Sequence, residues 1–241
     1  MKTIIELIFI AILVACIWNG FKKGLVMTLG SILIIIISLF FGDLLSDTFS
    51  HEAIPVIHPF VSGYMEGDKG SINEALTEVL GEGVGVGGLS ADDAIERAPE
   101  KALEFCKLSF MKMGVYESTA EVMAQQAIEE SQQISGSLTE SIVNVMCDNL
   151  TYFVGFILFF TLCIILLTVL GNITNLSFKI PYIDKLNNIG GVAGGLVTGI
   201  MFCLFAAWIL KFTGILLPED EIGAVANLFV GLNTYSKFLS I

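Results

Sequence analysis

Residues 150–170 read LTYFVGFILFFTLCIILLTVL, a run without one charged side chain. About 20 such residues cover the ~30 Å hydrocarbon core of a bilayer as an α-helix, the form that satisfies every backbone N–H and C=O within the segment. Three further apolar stretches extend the reading: 3–18 (TIIELIFIAILVACIW), 25–41 (LVMTLGSILIIIISLFF) and one over 189–210 for which Pro218 is the natural stop. The first two are joined by Asn19-Gly20-Phe21-Lys22-Lys23-Gly24, so short a link that the pair reads as a helical hairpin. The expected fold is an all-α membrane protein with four transmembrane helices. Hairpins occupy 1–42 and 149–218, an acidic helical insert 43–148, and an interfacial tail 219–241.

Composition supports a membrane protein. The chain of 241 residues is 54% hydrophobic and 15% charged, with a mean hydropathy of +0.80, more apolar side chain than the core of a soluble domain absorbs. Of 24 acidic residues 19 fall within 43–148, against 5 of the 12 basic ones, so that segment carries −14 of the total −12. Such a segment repels phosphate backbones and excludes nucleic acid as a partner. Within it, 71–80 and 91–113 read as amphipathic helices, the second broken near Pro99. Ser118-Thr-Ala-Glu121 has capping-box spacing and opens a helix to about 134; Ser137-Leu-Thr-Glu140 has the same spacing and starts the third span early. In the tail, Ile222, Val225, Ala226, Phe229 and Val230 recur at helical spacing, as in a helix lying on a membrane surface.

Lysines in short links set orientation. Lys22 and Lys23, and Lys179 and Lys185 against Asp184, place both links in the cytoplasm and residues 43–148 outside it.

Several motifs carry no chemistry in their context. Leu13-Val-Ala-Cys16 has lipobox form, but cleavage there would export Lys22 and Lys23, so the first helix is expected to be retained. Gly83-Val-Gly85-Val-Gly-Gly88 has GxGxxG spacing with no strand before it, and reads as a loop. His51-Glu52 lacks the second histidine of HExxH, because Pro55 stands there, and His58 adds no further ligand. Cys106 and Cys147 are the two cysteines outside apolar runs, available to pair in an oxidising compartment. No nucleophile, acid and base stand together, so neither catalysis nor a cofactor or metal is expected.

Two features point to contacts. Glu6 is the one carboxylate in a span, where a charge at the centre costs at least about 2.5 kcal/mol; its place near the end suits an interfacial or helix-paired role. Gly191, Gly195 and Gly199 recur every four residues, and Gly194 and Thr198 widen that smooth face. A helix can approach it closely, from this chain or from a membrane partner or second copy.

The link Gly20-Phe-Lys-Lys-Gly24, together with Asp184-Lys-Leu186-Asn187 leading into Gly191-xxx-Gly195-xxx-Gly199 and then Phe212-Thr-Gly214, resembles the colicin V production protein family. The resemblance covers about a third of the chain and carries over Gly20, Gly24, Leu186, Asn187, Gly191, Gly195 and Gly199 as structural positions. It implies a multi-pass protein of the bacterial cytoplasmic membrane, accessory to toxin or bacteriocin production or export, or to envelope homeostasis. Such a protein acts through membrane or extracytoplasmic partners. The long acidic insert departs from simpler members. The rival expectation is a small oligomeric channel or carrier, for which Glu6 is the main polar group available within the spans.

Overall fold

The computed structural model describes residues 2–67, 69–81, 90–134, 136–173, 184–212 and 223–232, and these are helical with short connections and no strand among them. The helices are α1 Lys2–Met65, α2 Ser71–Leu80, α3 Ala91–Glu96, α4 Ala102–Lys112, α5 Glu117–Ile134, α6 Leu138–Ile173, α7 Asp184–Phe212 and α8 Ala224–Leu232, with a 3-10 turn over Pro99–Lys101. Three are long and apolar enough to cross a membrane, over Thr3–Met65, Leu138–Gly171 and Asn187–Phe212. Their outward side chains, Leu7, Val14, Phe40, Leu158 and Leu170 among them, are exposed in the isolated chain. So much contiguous apolar surface requires a lipid environment. The protein is a membrane protein.

The chain divides into two compact units. The first takes in residues 2–45, most of α6 from Gly155, α7 to Ile209, and α8. Here α1 is not one rod, because Gly24 (φ 78°, ψ 174°) breaks it into two arms. The arms meet α7 in opposite order. Before the break, Phe9, Leu13, Cys16 and Gly20 approach Cys203, Gly199, Gly195 and Gly191 in turn; after it, Leu25 and Thr28 approach Gly190 and Gly194. The chain therefore folds back at Gly24 and lays both arms along α7. The second arm also runs against α6, with Ile34 near Gly171 and Gly42 over the backbone of Phe160. Phe156, Phe160, Phe205 and Trp208 knit α6 to α7 through ring contacts of 4.7–6.1 Å.

The second unit comprises 46–154 with the end of α7. Met65, Leu76, Phe105, Phe110, Met123 and Ile142 form a fully buried core. Lys107–Glu117 (2.6 Å) and Lys112–Glu78 (2.8 Å) lie at its surface, where such pairs contribute under about 1 kcal/mol each.

Several expectations need correction. Residues 43–65, expected to open the acidic insert after a span ending near 41, instead continue α1 through Pro55 and Pro59. Each proline removes one i→i−4 bond, and the remaining turns hold the helix. The break near Pro99 is present, as the 3-10 turn between α3 and α4. Ser118 does not cap α5. Tyr116 does, accepting from Ala120 N–H at 2.9 Å, and the Ser118 hydroxyl is buried without a partner. The Tyr116 N–H is itself held by the Lys211 carbonyl at 3.0 Å, which fixes the start of the helix two residues early. Ser137 does cap α6 through Glu140 N–H (3.2 Å), and Asp92 adds bonds to the Ser137 hydroxyl (2.6 Å) and Thr139 N–H (3.0 Å). The helical face of the tail does not lie open for a membrane surface: Ala226, Phe229 and Val230 are buried, with Phe229 stacked on Phe9 at 5.7 Å. The GxGxxG stretch, Lys179, Thr213-Gly214 and Pro218 lie outside the described residues.

Candidate functional site

Where the two arms of α1 meet α7, the three helices approach to backbone contact. A Cβ on Gly20 would strike the Gly191 carbonyl and stand 2.8 Å from Gly195 Cα. One on Gly195 would stand 2.6 Å from the Cys16 carbonyl and 3.0 Å from Ile17 Cα, and one on Gly191 2.9 Å from Gly24 Cα. Gly194 faces Thr28 and Gly199 faces Leu13 and Cys16. The smooth face of α7 is thus occupied by α1 of the same chain. Of the two uses open to it, the structure takes the intramolecular one. Cys16, the would-be lipidation residue, is part of this contact inside the first arm.

Gly24 sits at the centre for two reasons. Its φ of 78° is a conformation that side-chain-bearing residues rarely adopt, and a Cβ there would collide with the Asn187 amide. Asn187 in turn completes the fold-back. Its Oδ1 accepts from Leu25 N–H at 2.9 Å, the first amide of the second arm and one of the donors that a helix start leaves unpaired. Thr28 donates its hydroxyl to the Gly24 carbonyl at 2.7 Å. Gly20, Gly24, Asn187, Gly191 and Gly195, drawn from two segments far apart in the chain, form one lock. The side chain of Leu186 is not described.

Glu6 stands apart from this lock. It is half-buried, and its carboxylate presses on Gly223, the residue preceding α8. Gly223 has no side chain to separate them, which lets α8 pack on the first arm.

A second small-residue ridge is built mainly from serines. Ser38, Gly42, Ser46 and Ser50 recur every four residues along α1 and are all buried. Gly42 lies 3.2 Å, measured from a Cβ placed on it, from the Phe160 backbone, and Ser46 donates to the Tyr152 carbonyl at 2.7 Å. The spacing that marks α7 marks this face too, but serines hide it in a search for glycine repeats.

Among the described residues no group of three His, Cys, Asp or Glu side chains is placed to hold a metal. His51 and His58 lie seven residues apart on one helix, about 10 Å along its axis, too far to share an ion. Cys106 and Cys147 are both buried free thiols. Burial pushes the Cys106 thiol up to about 12, which keeps it protonated and unreactive at neutral pH.

Comparison with protein-family models, curated proteins and solved structures finds no match to this chain. The likeness to the colicin V production family therefore rests on the sequence stretches quoted for it, of which Gly20, Gly24, Asn187, Gly191 and Gly195 come together in the lock.

Proposed function

We propose that the chain is a non-catalytic, multi-pass membrane protein of the colicin V production type, accessory to production or export of a secreted peptide or to envelope homeostasis. The observation that carries this reading is that the two short segments behind the resemblance, Gly20–Gly24 and Asn187–Gly195, meet in one contact. In this reading each arm of α1 crosses the bilayer, as do α6 and α7, giving four spans. Lys22 and Lys23 at the fold-back lie in the cytoplasm, and the acidic unit faces the outside of the bacterial cytoplasmic membrane. The lock holds the scaffold, and the acidic unit presents the surface that meets extracytoplasmic partners.

The test is complementation. The chain is expressed in a bacterium lacking its colicin V production family protein, and secretion of the peptide toxin is measured. The wild-type chain should restore secretion, as should Gly63→Ala, at a site where an added Cβ meets nothing; Gly195→Leu should not. Membrane-inserted wild-type protein that restores nothing contradicts the proposal. Ion or proton flux in vesicles that disappears in Glu6→Gln would favour the channel or carrier instead.

A further inference from the structure

Within the first unit, the second arm of α1, the end of α6 and the middle of α7 leave a cleft of about 570 Å³, open along one side. It is lined from Lys23 and Asn19 at the fold-back, past Gly30 and Leu33, to Thr168 and Phe202. From Lys23 to Ile35 the α1 wall is ~18 Å long, close to one leaflet of a ~30 Å hydrocarbon core. The wall is chemically one-sided. Three of its hydroxyls are bonded to their own helices: Thr28 to the Gly24 carbonyl (2.7 Å), Ser31 to Met27 (3.0 Å) and Thr198 to Gly194 (3.0 Å). The depth of the cleft thus offers a ligand mainly hydrocarbon contact. The charge is at one end, where Lys23 is exposed and has no carboxylate within ion-pair distance among the described residues. Lys22 beside it lies over the Trp18 ring at 5.2 Å.

An apolar slot one leaflet deep, in a membrane protein, with an unmatched ammonium at its mouth, complements one class of molecule. We propose that the cleft is a lipid site that takes one acyl chain of an anionic glycerophospholipid and holds the headgroup phosphate at Lys23. A soluble polar ligand finds few donors along the wall beyond Asn19 and Thr168, and a zwitterionic lipid leaves the Lys23 charge uncompensated. The inference depends on membrane embedding and not on the accessory role proposed above. Failed complementation leaves it standing, and its own failure leaves that role standing.

The full chain is reconstituted in phosphatidylcholine nanodiscs with a trace of phosphatidylglycerol bearing a photoactivatable group in one acyl chain. The same chain on phosphatidylcholine serves as comparison, and adducts are mapped by mass spectrometry. Adducts should concentrate on Met27–Ile35 and around Thr168, with phosphatidylglycerol favoured about five-fold, the worth of one interfacial lysine. Lys23→Gln should bring the two lipids to parity. Gly30→Leu should empty the cleft of both: Gly30 lines the slot and a Cβ there meets nothing within 4 Å, so the backbone accepts the side chain, and unchanged thermal unfolding verifies its fold. Adducts spread evenly over Leu7, Val14 and Leu158 with no headgroup preference would overturn the proposal, as would cleft adducts that survive Gly30→Leu.

Discussion

A leucine at Gly195 would drive its side chain into the Cys16 carbonyl and the backbone of Ile17, and neither can yield without parting the helices. Gly195→Leu should therefore cost about 1–3 kcal/mol or more in unfolding of the detergent-solubilised protein. Gly63→Ala, on an open helical surface of α1, should gain about 0.5–1 kcal/mol. Asn187→Leu removes the acceptor from Leu25 N–H and should cost about 1–3 kcal/mol, most of it the unpaired amide. Equal melting of these variants and the wild type would remove the lock as a source of stability. The glycine face of α7 was legible because a four-residue period is written in the sequence. Asn187 was legible only as part of a resemblance, since its partner lies 162 residues away and no local pattern announces the contact. Cys106 adds a pH signature. Its folded-state pKa is raised to about 12 from 9.0, so the protonated thiol favours the folded state. That contribution is whole below pH 9 and is lost as pH rises toward 12. Chemical denaturation between those limits should show the fall in wild type, and Cys106→Ala should make it shallower, with buried Cys147, raised to about 11, supplying part of what remains.

Among the elements, α6 and α7 were the easiest to read, since each is long, uncharged through its middle and capped or led in by polar residues. The second arm of α1 was harder. Beyond residue 42 its composition turns acidic and includes two prolines, yet the helix runs to Met65 because Ser46, Ser50, Val61 and Met65 keep one face buried. Tertiary packing overrides a local breaker there. Gly42→Val, which meets the Phe160 backbone at 3.2 Å, should cost about 1–3 kcal/mol in the same unfolding assay; an unchanged melting temperature would show that α6 does not press on this face. The start of α5 was misread for the opposite reason. A capping box marks Ser118, but the Lys211 carbonyl holds Tyr116 and moves the start upstream.

At the scale of the whole molecule, the sequence divides by charge into an apolar part and an acidic part, and the two compact units follow nearly the same division. The acidic part, for all its charge, encloses its own core around Phe105 and Phe110. Its cysteines do not report its location, since Cys106 and Cys147 are buried and native protein should leave both unlabelled by polar thiol reagents. Exposed positions serve instead. The direct test of the account uses single cysteines at Lys23, at the fold-back, and at Glu66, past the end of α1, in a background without native cysteines. Intact cells are treated with a membrane-impermeant maleimide, with permeabilised cells as control. The account predicts labelling at position 66 from outside and at position 23 only after permeabilisation, because in the proposed topology the second arm crosses the bilayer between them. Labelling of both positions from the same side would contradict it.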